Sequence, residues 1–154
     1  MLFRSEAGII AMAFPESTGV VSGDGSVAGT RALLAACLDR ARQAGIPHER
    51  VVLDPGIGFF RGGSSSWEQR DVGVLAGLRA FADLGRPLAA GVSRKSFIGA
   101  ITGRTATADR LAGSLAATVL AVVNGAGLIR THDVAETVDA LRVAERILRA
   151  SDDA

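Results

Sequence analysis

Leu88-Ala89-Ala90-Gly91-Val92-Ser93-Arg94-Lys95-Ser96 runs from five small or apolar residues straight into two hydroxyls and two cations. An unbroken apolar run of this kind suits a strand buried on both faces, as in a parallel sheet covered by helices. The polar residues then stand at the strand's C-terminal end. The same order recurs on either side: Asp54 follows Arg50-Val51-Val52-Leu53, and Arg130-Thr131-His132-Asp133 follows Gly127-Leu128-Ile129. Doubly wound sheets and (β/α)8 barrels both alternate strand and helix. Three strands that each deliver chemistry at the same end favour the barrel, whose βα-loops build a site on the C-terminal face.

Between the strands, apolar residues fall at helical spacing. Leu33, Leu34, Cys37, Leu38 and Ala41 mark a first helix, stopped by Gly45-Ile46-Pro47. Val74, Leu75, Leu78, Phe81 and Ala82 mark a second, stopped by Gly85-Arg86-Pro87. After a loop, Leu111, Leu115, Val119, Leu120 and Val123 carry a third that ends at Asn124-Gly125. Asp133, with Glu136 three residues on, forms a capping box for a fourth helix, continued by Val138, Leu141, Ala144 and Leu148. Ahead of them all, residues 8–12 read as a strand leaving into a polar loop over 15–29. A Gly- and Ser-rich loop over 62–66 precedes the second helix. The expected class is α/β: about four parallel β/α units, half of a (β/α)8 TIM barrel, since a full barrel takes about 250 residues. The chain, 1–154, reads as one partial domain without linker or internal repeat.

Composition narrows the function classes. Of 154 residues 48% are hydrophobic, enough for a sizeable core, and 17 basic against 16 acidic residues leave a net charge of +1. No basic field suggests nucleic acid or an anionic membrane as partner. No run approaches a membrane span, and the N-terminus lacks the order of a signal peptide. The single cysteine, Cys37, reads as a core thiol in a reduced, cytoplasmic setting.

Each polar cluster has a bland and a chemical reading. Asp54-Pro55-Gly56 is either a turn whose carboxylate accepts backbone N–H bonds, or an acceptor for a heterocycle with adjacent N–H groups, walled by Phe59. Arg94 and Lys95 are either solvated cations, or donors to ring acceptors or an anion, with Ser93 and Ser96 fixing a carboxylate or water. Arg130 and His132 stand at a helix N-terminus, a setting that suits phosphate or pyrophosphate, with Asp133 as N-cap. His48, beside Pro47 on the opposite rim, reads as a surface residue.

DPGIGF over 54–59, GVSRKSFIG over 91–99 and IRTHDVAET over 129–137, in this order and spacing, resemble signatures of the dihydropteroate synthases. The resemblance covers about residues 30 to 148 and places the chain in the C-terminal half of that family's barrel. It implies a transferase of folate biosynthesis that condenses a hydroxymethyl-dihydropterin pyrophosphate with 4-aminobenzoate. By the same resemblance Asp54 and Lys95 contact the pterin, and Gly91 approaches it through its backbone. Phe59 and Ser96 lie near the aminobenzoate, Arg130 stacks on the pterin and His132 binds the pyrophosphate. Lys95, Arg130 and His132 are the implied catalytic groups, and magnesium the implied cofactor, although the family's metal loop has no counterpart in these residues. Partners would be the two substrates and either a second copy or the missing N-terminal half.

Several positions depart from the family pattern. Phe60-Arg61 stands for the usual Gly-Lys, Asp71 for an Asn, and Met12-Ala13-Phe14 for Met-His-Met. Arg61 keeps a positive charge in a different geometry. Trp67, beside the unusual run Ser64-Ser65-Ser66, is expected to pack helix against barrel. The competing readings are a non-catalytic pterin- or phosphate-binding or interaction subunit, and a pterin-binding methyltransferase domain, which is not expected to carry SRKSFIG.

Overall fold

A computed structural model describes residues 6–14, 26–60 and 66–152. Arg61 and most of the two loops expected at 15–29 and 62–66 lie outside the described residues. Four strands, β1 (Ile9–Met12), β2 (Val51–Asp54), β3 (Leu88–Ala90) and β4 (Ala126–Ile129), form one sheet in the order β1-β2-β3-β4. Every neighbouring pair is parallel, so each connection crosses over by way of helix. Sequential parallel order with all helical crossovers is the architecture of half a (β/α)8 barrel.

The crossovers are α1 (Val27–Gln43), α2 (Trp67–Ala76), α3 (Ser96–Thr102) and α4 (Leu111–Val123), with α5 (Val134–Asp152) after β4. The core lies between helices and sheet: Leu33 and Leu34 of α1, Leu53 of β2, Val74 of α2, and Leu78 and Phe81 beyond it are all essentially inaccessible. Fully burying a side chain such as Phe81 is worth about 1.5–3 kcal/mol. Trp67 packs on this cluster, as expected of it, and Cys37 is buried and free.

Five details differ from the sequence reading. Helix α1 begins at Val27, earlier than Gly29, because the Ser26 hydroxyl accepts the Gly29 N–H at 3.0 Å and caps it. The second helix is two pieces: α2 stops at Gly77, and a 3-10 stretch, Leu78–Leu84, carries the stripe on. A side chain at Gly77 would come within 2.7 Å of Val27, so close approach to α1 requires the glycine there. The expected loop after β3 contains α3, which Gly103 ends at φ 71°. Helix α4 buries Ser114, Ala117, Thr118 and Ala121, and Leu120 of the expected stripe is 56% exposed. An almost wholly apolar helix has no single stripe to read, and small residues let α4 approach α3 until a Cβ on Gly113 would meet Ile98 at 2.4 Å. On α5 the expected apolar positions Val138 and Leu148 are exposed while Thr137 is buried.

Among the described residues no single helix is long and apolar enough to cross a membrane. Ser96–Thr102 with Thr107–Val123 passes that test only as a pair bent by 82°.

Candidate functional site

Register brings the predicted residues together. Ile10 pairs with Val52 and Met12 with Asp54, while Ala89 pairs with Leu128. Partners across a parallel pair share a face and alternate residues repeat it. Asp54 therefore shares the inner face with Val52, and the same two-residue step leads from Ala89 to Gly91 and from Leu128 to Arg130. The side chains bear this out: a Cβ on Gly91 would lie 2.8 Å from Arg130 Nη2, so the guanidinium rests over a surface that only glycine leaves open.

Asp54 sits at the floor of this rim, 9% exposed, and its Oδ1 accepts the Gly56 N–H at 2.8 Å. Burial raises its carboxyl above the ordinary range, against the Gly56 bond and the charges of Arg130 and Lys95. Its loop turns through two glycines at positive φ, Gly56 at 70° and Gly58 at 84°. A Cβ on Gly56 would strike the Ala13 carbonyl at 2.5 Å, and one on Gly58 would strike Lys95 Cδ at 2.8 Å. Close approach to backbone and left-handed conformation both demand glycine at Gly56; at Gly58, where the neighbour is the flexible Lys95 side chain, the conformation does.

Behind the loop lies a buried ion pair, Arg70 Nη1 to Asp71 Oδ1 at 3.0 Å, with side-chain exposures of 3% and 1%. Asp71 also accepts the Gly58 N–H at 2.9 Å, and Arg70 donates to the Pro55 and Gly56 carbonyls at 3.3 and 3.4 Å. The Arg70 guanidinium stacks on Phe60 at 3.4 Å, and desolvation lowers its pKa despite Asp71. Helix α2 thus clamps the segment that presents Asp54 and Phe59.

At the strand ends opens a cavity of about 490 Å³, lined by Phe59, Gly91, Thr107, the loop after β3 and the loop after β4. Lys95 Nζ stands 4.0 Å from the Phe59 ring centroid, so the ring supports the ammonium while remaining 43% exposed itself. Arg130 and His132 line the same cavity. Two contacts join the loops after β3 and β4. Ser93 Oγ lies 3.0 Å from His132 Nδ1, and Arg94 grips both carboxylate oxygens of Asp133. Arg94 adopts φ 58°, rare for a side-chain-bearing residue, and its N–H reaches the Ser114 hydroxyl at 2.8 Å.

The structure brings Phe59, Gly91, Lys95, Arg130 and His132 to one cavity; Asp54 is not among the residues lining it but lies within electrostatic reach of Arg130 and Lys95. Ser96 opens α3 at the cavity's edge and is not among the residues lining it. Asp133 supplies its carbonyl to the first turn of α5, but its carboxylate goes to Arg94, whose bond holds the Asp133 pKa low. A simple N-cap reading missed that latch. His48 is exposed ahead of β2, on the opposite rim as expected. Sequence reasoning overlooked Arg70 and Thr107, the latter a cavity residue from the 3-10 turn before α4. It passed over Asp71 as a mere substitution. A signal existed, since Asp71 stands at helical spacing with Val74 and Leu75, on the inward face of α2.

Among the described residues no three His, Cys, Asp or Glu side chains converge as metal ligands. Asp133 is engaged by Arg94 and Asp71 by Arg70 and Gly58. These residues alone do not fit a magnesium site.

Comparison with known proteins points the same way. Residues 2–132 match the family model described as pterin binding enzyme. The chain is 44% identical over 113 residues to the dihydropteroate synthase of Escherichia coli strain K12, covering 73% of this chain and 38% of that one. It is 43% identical over 105 residues to the enzyme of Neisseria meningitidis serogroup B, covering 68% and 36%. In structure it superposes on the dihydropteroate synthase of Xanthomonas albilineans in complex with 7,8-dihydropteroate with a TM-score of 0.80 and 40% identity, over 92% of this chain and 50% of that one. The Thermus thermophilus enzyme in complex with 4-aminobenzoate gives 0.74 and 36%, over 89% and 52%. The chain spans 38% or less of these two curated relatives and about half of these two solved structures. With its parallel half-barrel, its strand-end cavity and a family match over most of its length, the chain belongs to the pterin binding enzyme family.

Proposed function

We propose that this chain provides the pterin and aminobenzoate surface of a dihydropteroate synthase, a transferase of folate biosynthesis. The observation that carries the reading is a single cavity where Lys95 from the end of β3 meets Arg130 and His132 from the end of β4, with Asp54 at the end of β2 near enough to feel the charges of Arg130 and Lys95. In the reaction the aromatic amine forms a bond to the pterin methylene carbon as the bond from that carbon to the pyrophosphate oxygen breaks. The amine loses a proton and pyrophosphate departs.

Asp54 accepts hydrogen bonds from the pterin N–H groups, Lys95 contacts the ring, and the open surface of Gly91 lets the ring lie flat beside Arg130. Arg130 and His132 meet the charge developing on the leaving group, the largest contribution a preorganised polar site makes. Phe59 and Ser96 border the aminobenzoate. Magnesium would take its protein oxygens from outside the described residues and would supply charge stabilisation to the departing pyrophosphate. The setting is cytoplasmic, in keeping with a free Cys37, and the functional unit includes further barrel strands, from another segment or another copy.

Incorporation of 4-aminobenzoate into dihydropteroate, measured on the chain with and without a segment carrying the first four strands, tests the proposal. Turnover only in the combined sample supports it. Pterin binding without turnover in the combined sample would favour a non-catalytic binding subunit.

A further inference from the structure

Ser93 is 6% exposed, and its hydroxyl meets His132 twice. The His132 backbone N–H donates to Oγ at 3.3 Å, and Oγ lies 3.0 Å from Nδ1 of the ring. A hydroxyl offers one proton and two lone pairs. The backbone bond takes one lone pair. A proton on Nδ1 would take the other, leaving the hydroxyl's own proton without an acceptor among the described residues on a buried side chain, a costly arrangement. The reverse assignment satisfies every group: Oγ accepts from the backbone and donates to a bare Nδ1. Next to this contact, Arg94 holds Asp133 through both carboxylate oxygens, so neighbouring rungs fix the two loops against each other.

We infer that Ser93 is a positioning residue that sets the tautomer of His132, keeping Nδ1 bare and the proton on Nε2. The ring, which lines the cavity beside Arg130, then offers an N–H donor to phosphate oxygens while still neutral. The use of that donor rests on the proposed pyrophosphate reading; the tautomer does not.

Nitrogen-15 spectra of the histidine rings in the full chain test this. There are two histidines, and His48→Ala assigns them. The neutral His132 ring should show a hydrogen-bonded bare Nδ1 with no detectable Nδ1–H form. In Ser93→Ala the Nδ1–H form should appear and the Nδ1 signal should move toward that of free imidazole, and Ser93→Thr should restore the wild-type pattern. A wild-type ring protonated on Nδ1, or identical Nδ1 signals in wild type and Ser93→Ala, overturns the inference. Titration of inorganic pyrophosphate onto the chain combined with a segment carrying the first four strands should show Ser93→Ala binding about three- to tenfold more weakly, the worth of one hydrogen bond. If pyrophosphate binds no form while the spectra are as expected, the tautomer assignment stands and the functional reading of the cavity fails.

Discussion

Asp54 is pulled in two directions, since burial disfavours its charge while Gly56, Arg130 and Lys95 favour it. Burial prevails, so its folded-state pKa lies above the unfolded value. Such a group supports the fold most when protonated, and its contribution falls as pH rises from the unfolded carboxylate value through the raised one. Asp54→Asn, which cannot ionise, should therefore gain stability relative to wild type between acid and neutral pH, as read by thermal unfolding against pH. Parallel curves would show that the charge is not strained. Gly91→Ala places a methyl group where Arg130 Nη2 now lies. The arginine can swing aside, so unfolding should change little while pterin affinity drops, a separation visible by calorimetry beside thermal melts. Asp54 and Arg130 were legible in the sequence because each directly follows an apolar run, and Lys95 because it belongs to the polar cluster that follows one. Arg70 was not, because it acts from behind the loop and donates to the Pro55 and Gly56 carbonyls, which no side-chain pattern announces, whereas the inward place of Asp71 was signalled only by its helical spacing with Val74 and Leu75.

Among the elements, α2 and the loop after β3 matter most to the site. Removing one partner of a buried ion pair leaves the other charge uncompensated, typically a loss of about 3–5 kcal/mol. Asp71→Ala should destabilise by that order in urea unfolding, and a change under about 1 kcal/mol would contradict the clamp. In the loop after β3, Arg94 combines a left-handed backbone with the latch to Asp133. Alanine and glycine both lose the latch, but only glycine is at ease at φ 58°. Arg94→Gly should thus be the more stable of the two by about 1 kcal/mol. The strands and first helix were readable from period and punctuation. Helix α3 was not, because seven residues between polar loops give too short a pattern, and the buried face of α4 was not, because nearly every face of it is apolar.

At the scale of the whole molecule, among the described residues β1 and β4 are the sheet's edge strands, and large apolar side chains lie open on the inner face and the helices. Ile10 on β1 and Val143 and Ile147 on α5 are more than half exposed. Unpaired parallel edges and apolar patches of this kind invite association. The 154-residue chain by itself should self-associate, and monodisperse monomer in light scattering at high concentration would contradict that. It should also show no appreciable synthase turnover alone, since positioning and leaving-group stabilisation need the rest of the rim.

The most direct test of the central claim is calorimetric titration of a pterin pyrophosphate onto the chain combined with the first four strands, comparing Asp54→Asn with His48→Ala. The first substitution turns an acceptor facing the pterin N–H groups into a donor and should weaken binding about ten- to a hundredfold. The second lies on the opposite rim and should leave affinity unchanged. Equal affinity in the two variants would contradict the placement of the pterin pocket at the C-terminal rim.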